Sequence, residues 1–395
     1  MKYAAINDRL ANLGGAKWAI HRQARNRVTK GEDIVELCIG EPDVPVADDM
    51  IEEAVRSMRA GRYTYSNGRG EPGLTAALAE RYSRTSGRNI TPDQMICLPG
   101  TQTALYLALL GLAQEGDEVL VGDPYYATYE GVIRSSGADL VKVPLLAENG
   151  FRLQASDIEA RITPRSRVIL LNTPHNPTGA ILTAEDIAAI GEVARAHDLW
   201  IISDEVYEDL VFDDATFCSP LSLPELAERV VVVSSISKSH AAPGFRSGWC
   251  VGSPEFVETL LPLAETMLFG GQSFIADMTE LGIRQGSSVA EGMRNRYASR
   301  ARTLASRLAD ETALWAHPPQ AGMFIMVNIA ATGIPSDVFA QRLLDEAGLA
   351  VMPGSSFGDT VRDWIRIALT VEDERFYEGV ERLIAFARQF ETVSA

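Results

Sequence analysis

From about residue 95 to 252, short apolar runs alternate with stretches of helical period. The runs MICL, EVLVG, RVILLN, LWIIS, RVVVVS and GWCVG carry no polar alternation, the pattern of strands buried on both faces. Between several of them lie helical stretches such as TQTALYLALLGLA and TAEDIAAIGEVARAH. Three of the runs end at Asn172, Ser203 and Ser234, about thirty residues apart, which is βαβ spacing. The pattern predicts an α/β fold, a mainly parallel sheet with helices on both faces. After about residue 285 the texture changes. SVAEGMRNRYASRARTLASRLADE reads as one long charged amphipathic helix. GMFIMVNI, LAVMPG and DWIRIALT read as strands, PSDVFAQRLLDEAG as a helix, and a last helix starts near Glu372. An early strand, VELCIGEPD, completes this second unit. The chain thus divides into a large unit, 46–289, and a smaller α+β unit made of 1–45 and 290–395.

Composition narrows the classes. The chain has 395 residues, 46% hydrophobic and 23% charged, as in ordinary globular proteins, with a net charge of −17. That charge argues against nucleic acid or an anionic membrane as a partner. No apolar run reaches membrane-span length, and the first residues have no apolar signal core. The four cysteines are scattered and form no C-x-x-C pair, so buried free thiols in the cytoplasm are expected. The five histidines show no metal-ligand spacing, and no metal is expected.

In open parallel sheets ligands bind beyond the carboxyl ends of the strands. The residues that follow each strand are therefore the candidates. After MICL comes Pro99-Gly100-Thr101-Gln102-Thr103 at a helix start, suited to a phosphate; ordinary capping is the alternative. After EVLVG comes DPYYATYE, whose three tyrosines offer a platform for a flat ring, or simply a half-buried edge. After RVILLN, Asn176-Pro177-Thr178-Gly179 forms a tight turn. After LWIIS, Asp204 leaves a buried strand with Tyr207 three residues on; a buried acid needs a cation, unless it caps a helix. After RVVVVS comes SSISKSHAAPGFR, with Lys238 and Arg246 at the same rim. Arg366 sits between two isoleucines of DWIRIALT, on an anion site or on a solvated strand face. Together these supply a phosphate anchor, a stacking ring, hydrogen bonds for a ring oxygen, an acid for a ring cation and an imine-forming amine. That set describes pyridoxal 5′-phosphate.

The motifs GEPD, YTYSNGRGEPGL, PGTQTAL, GDPYYATY, NTPHNPTG, SDEVY, SSISKSHAAPGFRSGW and RIAL, in this order, make the chain resemble the class I/II aminotransferases, pyridoxal-phosphate enzymes of fold type I. The resemblance runs from CIGEPD to WIRIALT. It implies a seven-stranded sheet in a large cofactor-binding domain. Lys238 then matches the Schiff-base lysine and proton carrier, Asp204 the pyridinium partner, and Tyr207 and Asn176 the ring-oxygen contacts. Tyr126 matches the stacking aromatic. Thr101, Gln102, Ser235, Ser237 and Arg246, with Gly100 at the turn, match the phosphate cup, and Tyr65 the tyrosine delivered by a partner subunit. Gly40 and Arg366 match the α-carboxylate site, and Trp18 a residue over the substrate pocket. The resemblance further implies a homodimer with shared active sites and ping-pong transfer of an amino group between an L-amino acid and a 2-oxo acid. AHDLWIISDEVY and SKSHAAPGFRSGW are most similar to bacterial arginine:pyruvate transaminases, with aspartate and aromatic aminotransferases as close rivals. Gln102 stands where some bacterial aspartate enzymes have a lysine for the distal carboxylate. Phe245 departs from the usual tryptophan before the phosphate arginine. A C–S or β-lyase on the same scaffold and a non-catalytic ligand-sensing domain are the alternatives.

Overall fold

A computed structural model describes residues 1–11, 13, 17–212 and 214–393. Its strands are β1 (Val35–Leu37), β2 (Met95–Leu98), β3 (Glu118–Asp123), β4 (Asp139–Pro144), β5 (Ser166–Asn172) and β6 (Trp200–Asp204). They continue as β7 (Val230–Ser235), β8 (Gly248–Val251), β9 (Trp315–His317), β10 (Phe324–Asn328), β11 (Leu349–Pro353) and β12 (Trp364–Ala368). Seven form one sheet in the order β2-β8-β7-β6-β5-β3-β4. The pairs from β7 through β4 are parallel, and β8 is antiparallel to both β7 and β2. The mainly parallel sheet expected from the apolar runs is thus present. β4 left no apolar run because it is an edge strand, with Asp139 and Lys142 exposed.

Strands β3, β7 and β8 are buried at every position, and β5 and β6 nearly so. Helices on both sides account for this. One apolar cluster combines Thr101–Leu112 and Pro254–Leu268 with one side of the sheet. The other side joins the continuous core that extends into the second unit. The helix Ala184–Ala196 begins at Thr183, whose hydroxyl accepts the Asp186 N–H at 3.1 Å while the Asp186 carboxylate accepts the Thr183 N–H at 3.0 Å, a reciprocal cap readable in TAED.

A second sheet runs β1-β11-β12-β10-β9. β1, from the first forty residues, pairs parallel with β11 from the last fifty. This joins the N-terminal segment to the C-terminal strands. The helix Ala290–Glu311 is continuous for 22 residues. Its Arg300 is buried and reaches Asp43 at 2.9 Å and Asp373 at 2.8 Å. That network fastens the GEPD turn to the helix behind it. Among the described residues no helix is long and apolar enough to cross a membrane.

Candidate active site

The carboxyl ends of β5, β6 and β7 open on a cavity of about 220 Å³. Its chemistry follows from how each strand stops. β7 ends at Ser235, whose hydroxyl accepts the Ser237 N–H at 3.3 Å and so starts the single helical turn Ile236–Ser239. That turn carries Lys238 into the cavity, where Nζ donates to the Gly40 carbonyl at 2.6 Å. Burial lowers the ammonium to about 8 from 10.5, helped by Arg366 and Arg246 and opposed by Glu41.

β6 ends at Asp204, in register with Asn172 of β5. The Asp204 carboxylate accepts the Tyr129 hydroxyl at 2.7 Å and the Val206 N–H at 3.2 Å. Burial nevertheless raises it to about 6, because two hydrogen bonds do not replace the hydration of a charge. The next residue, Glu205, turns elsewhere and accepts from Ser219 at 2.7 Å. Asn172 donates to the Asp204 carbonyl at 3.0 Å, and its own oxygen accepts the Asn176 N–H at 2.8 Å. Asn176 is thereby aimed so that Nδ2 donates to Tyr207 Oη at 3.3 Å and Oδ1 accepts from Arg366 at 3.0 Å.

Arg366 comes from the other sheet. It is 1% exposed, which sets aside the solvated strand face. Its guanidinium lies 3.8 Å from the Phe324 ring centroid and 4.4 Å from that of Phe357, a cation held between two aromatic faces. Nη2 donates to the Cys38 carbonyl at 2.6 Å, while Nε is buried with no partner. Burial lowers its pKa to about 10, so it stays charged at neutral pH.

The phosphate-cup candidates converge on the same cavity. Thr101 donates to Ser235 at 2.9 Å and ties the start of helix Thr101–Leu112 to the end of β7. Gly100 precedes that helix at φ 82, and a Cβ there would meet Arg246 Nη2 at 2.3 Å. Gly248 permits the approach: its Cβ would lie 2.7 Å from the Gly100 backbone. Arg246 donates to the carbonyls of Pro243 at 2.8 Å and Pro99 at 3.2 Å. Ser237, Gln102, Tyr126, Gly40 and Trp18 also line the cavity. Gly100 stands behind the lining, and Tyr65 lies outside it, 86% exposed and edge-on to Phe269 at 5.1 Å.

Several contributors escaped the sequence reading. Tyr129 was visible only as one of three tyrosines, with nothing to mark it as the donor to Asp204. Phe324, Phe357 and the Cys38 carbonyl carry no local signal, because their partner Arg366 is remote in the chain.

Three ionisable groups, the half-buried Lys238 and the buried Asp204 and Arg366, therefore face one cavity. Among the described residues, none has an ion-pair partner within 4.0 Å, although ion pairs are frequent elsewhere in the chain. An amine, a carboxylate, an N-terminal helix cradle beside an arginine, and an aromatic lining fit pyridoxal phosphate and an amino-acid carboxylate. Fold and site define a pyridoxal-phosphate-dependent transferase. The chain belongs to the class I and II aminotransferases: that family's pattern matches residues 32–383. It is an enzyme that uses pyridoxal phosphate to move an amino group between an amino acid and a 2-oxo acid. It is 41% identical to an arginine–pyruvate transaminase of Pseudomonas aeruginosa over 98% of this chain and 99% of that one. It is 31% identical to an aspartate aminotransferase of Geobacillus stearothermophilus over 96% and 98% of the two chains. The structure of a Thermus thermophilus aspartate aminotransferase with maleate superposes with a TM-score of 0.91 at 27% identity, covering 98% of this chain and 100% of that one.

Proposed function

We propose that Lys238, Asp204 and Arg366 are the working groups of this aminotransferase, and that an α-amino acid donor and a 2-oxo acid acceptor use the same cavity in turn. The observation that carries this reading is the set of three ionisable groups around one space, two buried and one half-buried, that lack an ion-pair partner among the described residues. Burying a lone charge is unfavourable unless a partner arrives. A cofactor ring nitrogen answers Asp204, and a substrate carboxylate answers Arg366.

When bound, pyridoxal phosphate supplies an aldehyde carbon and an electron-withdrawing ring. Lys238 is the amine that meets the aldehyde. With its pKa lowered to about 8 by burial, a fraction of Nζ is neutral at pH 7. With an amino-acid donor held beside it, Nζ would take the donor's Cα proton and hand it on. Asp204 would hold the ring nitrogen's proton, and the Tyr129 hydroxyl keeps the carboxylate in place. Tyr207 and Asn176 hold the ring oxygen. Thr101, Gln102, Ser235, Ser237, Arg246 and the turn at Gly100 would hold the phosphate, and Tyr126 would offer its ring to the cofactor's. Arg366 forks the α-carboxylate, with Asn176 Oδ1 fixing the plane of the guanidinium. Gly40 and Trp18 border the substrate.

The division into 46–289 and 1–45 with 290–395 is part of the proposal, supported by the pairing of β1 with β11. So is a homodimer with shared sites. Tyr63, Tyr65 and Phe269 are 72%, 86% and 67% exposed, an aromatic patch suited to a second copy, from which Tyr65 reaches the partner's phosphate. The Tyr65→Ala variant is expected to weaken cofactor affinity about tenfold, the loss of one hydrogen bond, measured by fluorescence titration. A cytoplasmic location is proposed from the four free thiols. The relatives' names favour arginine with pyruvate over aspartate as the substrate pair, since the 41% relative bears the former name.

The test is a donor panel against pyruvate, oxaloacetate and 2-oxoglutarate. Without acceptor, one equivalent of 2-oxo acid forms and the reaction stops. Continuous ammonia release would point to a lyase instead. Asp204→Ala is expected to lower cofactor affinity at least about a hundredfold, the scale of a broken buried ion pair, by equilibrium dialysis; unchanged affinity removes Asp204 from the site.

A further inference from the structure

The cavity around Lys238 does not end at its own rim. Trp18 and Gln102 line it, and the same two side chains line a second space of about 460 Å³. That space lies between the helices Thr101–Leu112 and Tyr129–Ser136, with Thr103, Tyr106, Thr128 and Val132 in its walls. Gly131 stands among them, and a Cβ added there meets no atom within 4 Å. Thr128 donates to Gln102 Oε1 at 3.1 Å, so the amide between the two spaces is held and its N–H groups remain available.

Resting on the aminotransferase reading with Arg366 as the carboxylate anchor, we propose that the second space receives the donor's side chain. The donor is then an α-amino acid with a long side chain that carries no distal carboxylate. Three observations lead there. The first concerns size: about 220 Å³ lies below the roughly 300–1,000 Å³ of small-molecule pockets. Cofactor and donor backbone fill it, and a long side chain has to leave. The second is the exit: among the described residues only two side chains, Trp18 and Gln102, are common to both linings. The third is charge. Among the described residues no Lys, Arg, Asp or Glu lines the second space. A distal carboxylate entering there loses water and meets no cation. A neutral chain loses little. A guanidinium or ammonium is tolerated because the aromatic rings of Trp18 and Tyr106 and the hydroxyl oxygens of Thr103, Thr128 and Ser135 line the space and can favour a cation. The net charge of −17 favours the approach of such a cation.

The test uses the holoenzyme and the donor half-reaction alone, followed by cofactor absorbance, with L-alanine, L-norleucine, L-arginine and L-aspartate as probes. Norleucine and arginine are expected to react at least tenfold more efficiently than alanine, and aspartate no better than alanine. Gly131→Trp fills the second space from an unobstructed position. It is expected to cut norleucine and arginine at least tenfold while leaving alanine within twofold, with Gly131→Leu intermediate. Alanine is the internal control for folding and chemistry. A variant that slows all four donors alike, or none, overturns the side-chain site. Aspartate as the best donor of the parent enzyme also overturns it, by showing a cation supplied from elsewhere. Failure of every donor, alanine included, would instead bring down the aminotransferase reading and this inference with it.

Discussion

Replacing Lys238 by Met is expected to eliminate turnover and, at the same time, to raise the melting temperature of the cofactor-free protein at pH 7. The first effect follows from the loss of the one lysine that lines the cavity among the described residues. Proton transfer by a positioned group contributes on the order of 10²–10⁴-fold, and loss of the amine that meets the aldehyde adds to it. Turnover should fall by at least about 10⁴-fold, and borohydride should no longer fix the cofactor's mass to the chain. The second effect is a linkage argument. The folded chain releases the Lys238 proton near 8, whereas an exposed lysine keeps it to 10.5. The unfolded state therefore binds more protons between those values, and stability rises with pH through that window. Below about 8 the full penalty applies, roughly 3 kcal/mol for a shift of this size. The lost hydrogen bond to Gly40 takes back about 1 kcal/mol. The variant's advantage should be largest at pH 7 and fade toward pH 10.5. Thermal melts across that range decide it; an advantage that grew with pH, or a variant retaining parental turnover, would refute the assigned role.

Replacing Arg366 by Met is expected to lower kcat/KM about 10²–10³-fold for donor and acceptor alike, because both substrates carry the carboxylate it binds. A broken buried ion pair is worth about 3–5 kcal/mol, and such a loss converts to that range. The parallel loss in the two half-reactions is diagnostic: a contact to the side chain would affect substrates unequally. Arg366→Lys should recover little. An ammonium has neither the fork for a carboxylate nor the flat face that fits between Phe324 and Phe357. Pre-steady-state half-reactions with one donor and its cognate 2-oxo acid measure both losses. A variant within threefold of the parent in either direction would remove Arg366 from the carboxylate site.

Why so much of this site was legible in the sequence has a local explanation. A parallel strand buried on both faces must be apolar until it leaves the sheet, so RVVVVS, LWIIS and RVILLN announce both their direction and their ends. Polar residues directly after such a run lie at the ligand-binding edge. Lys238, Asp204, Asn176 and the Thr101 helix start are all of this kind, each a few residues from its strand end. β4 and β9 were not legible, because each is a sheet edge with exposed positions and no apolar run.

The sequence by itself determined the order of the elements, the parallel character of the large sheet and many of the cavity-lining residues, because those depend on short-range pattern and on where strands stop. Only the tertiary structure decided which groups meet across the chain. It set Arg366 between Phe324 and Phe357 with Asn176 at its edge, gave Tyr129 to Asp204, and placed the Gly40 carbonyl on Lys238. It also opened the space beside Gln102. Such contacts join residues from tens to hundreds of positions apart, and burial of a charge takes its sign and size from everything packed around it, which no local pattern records.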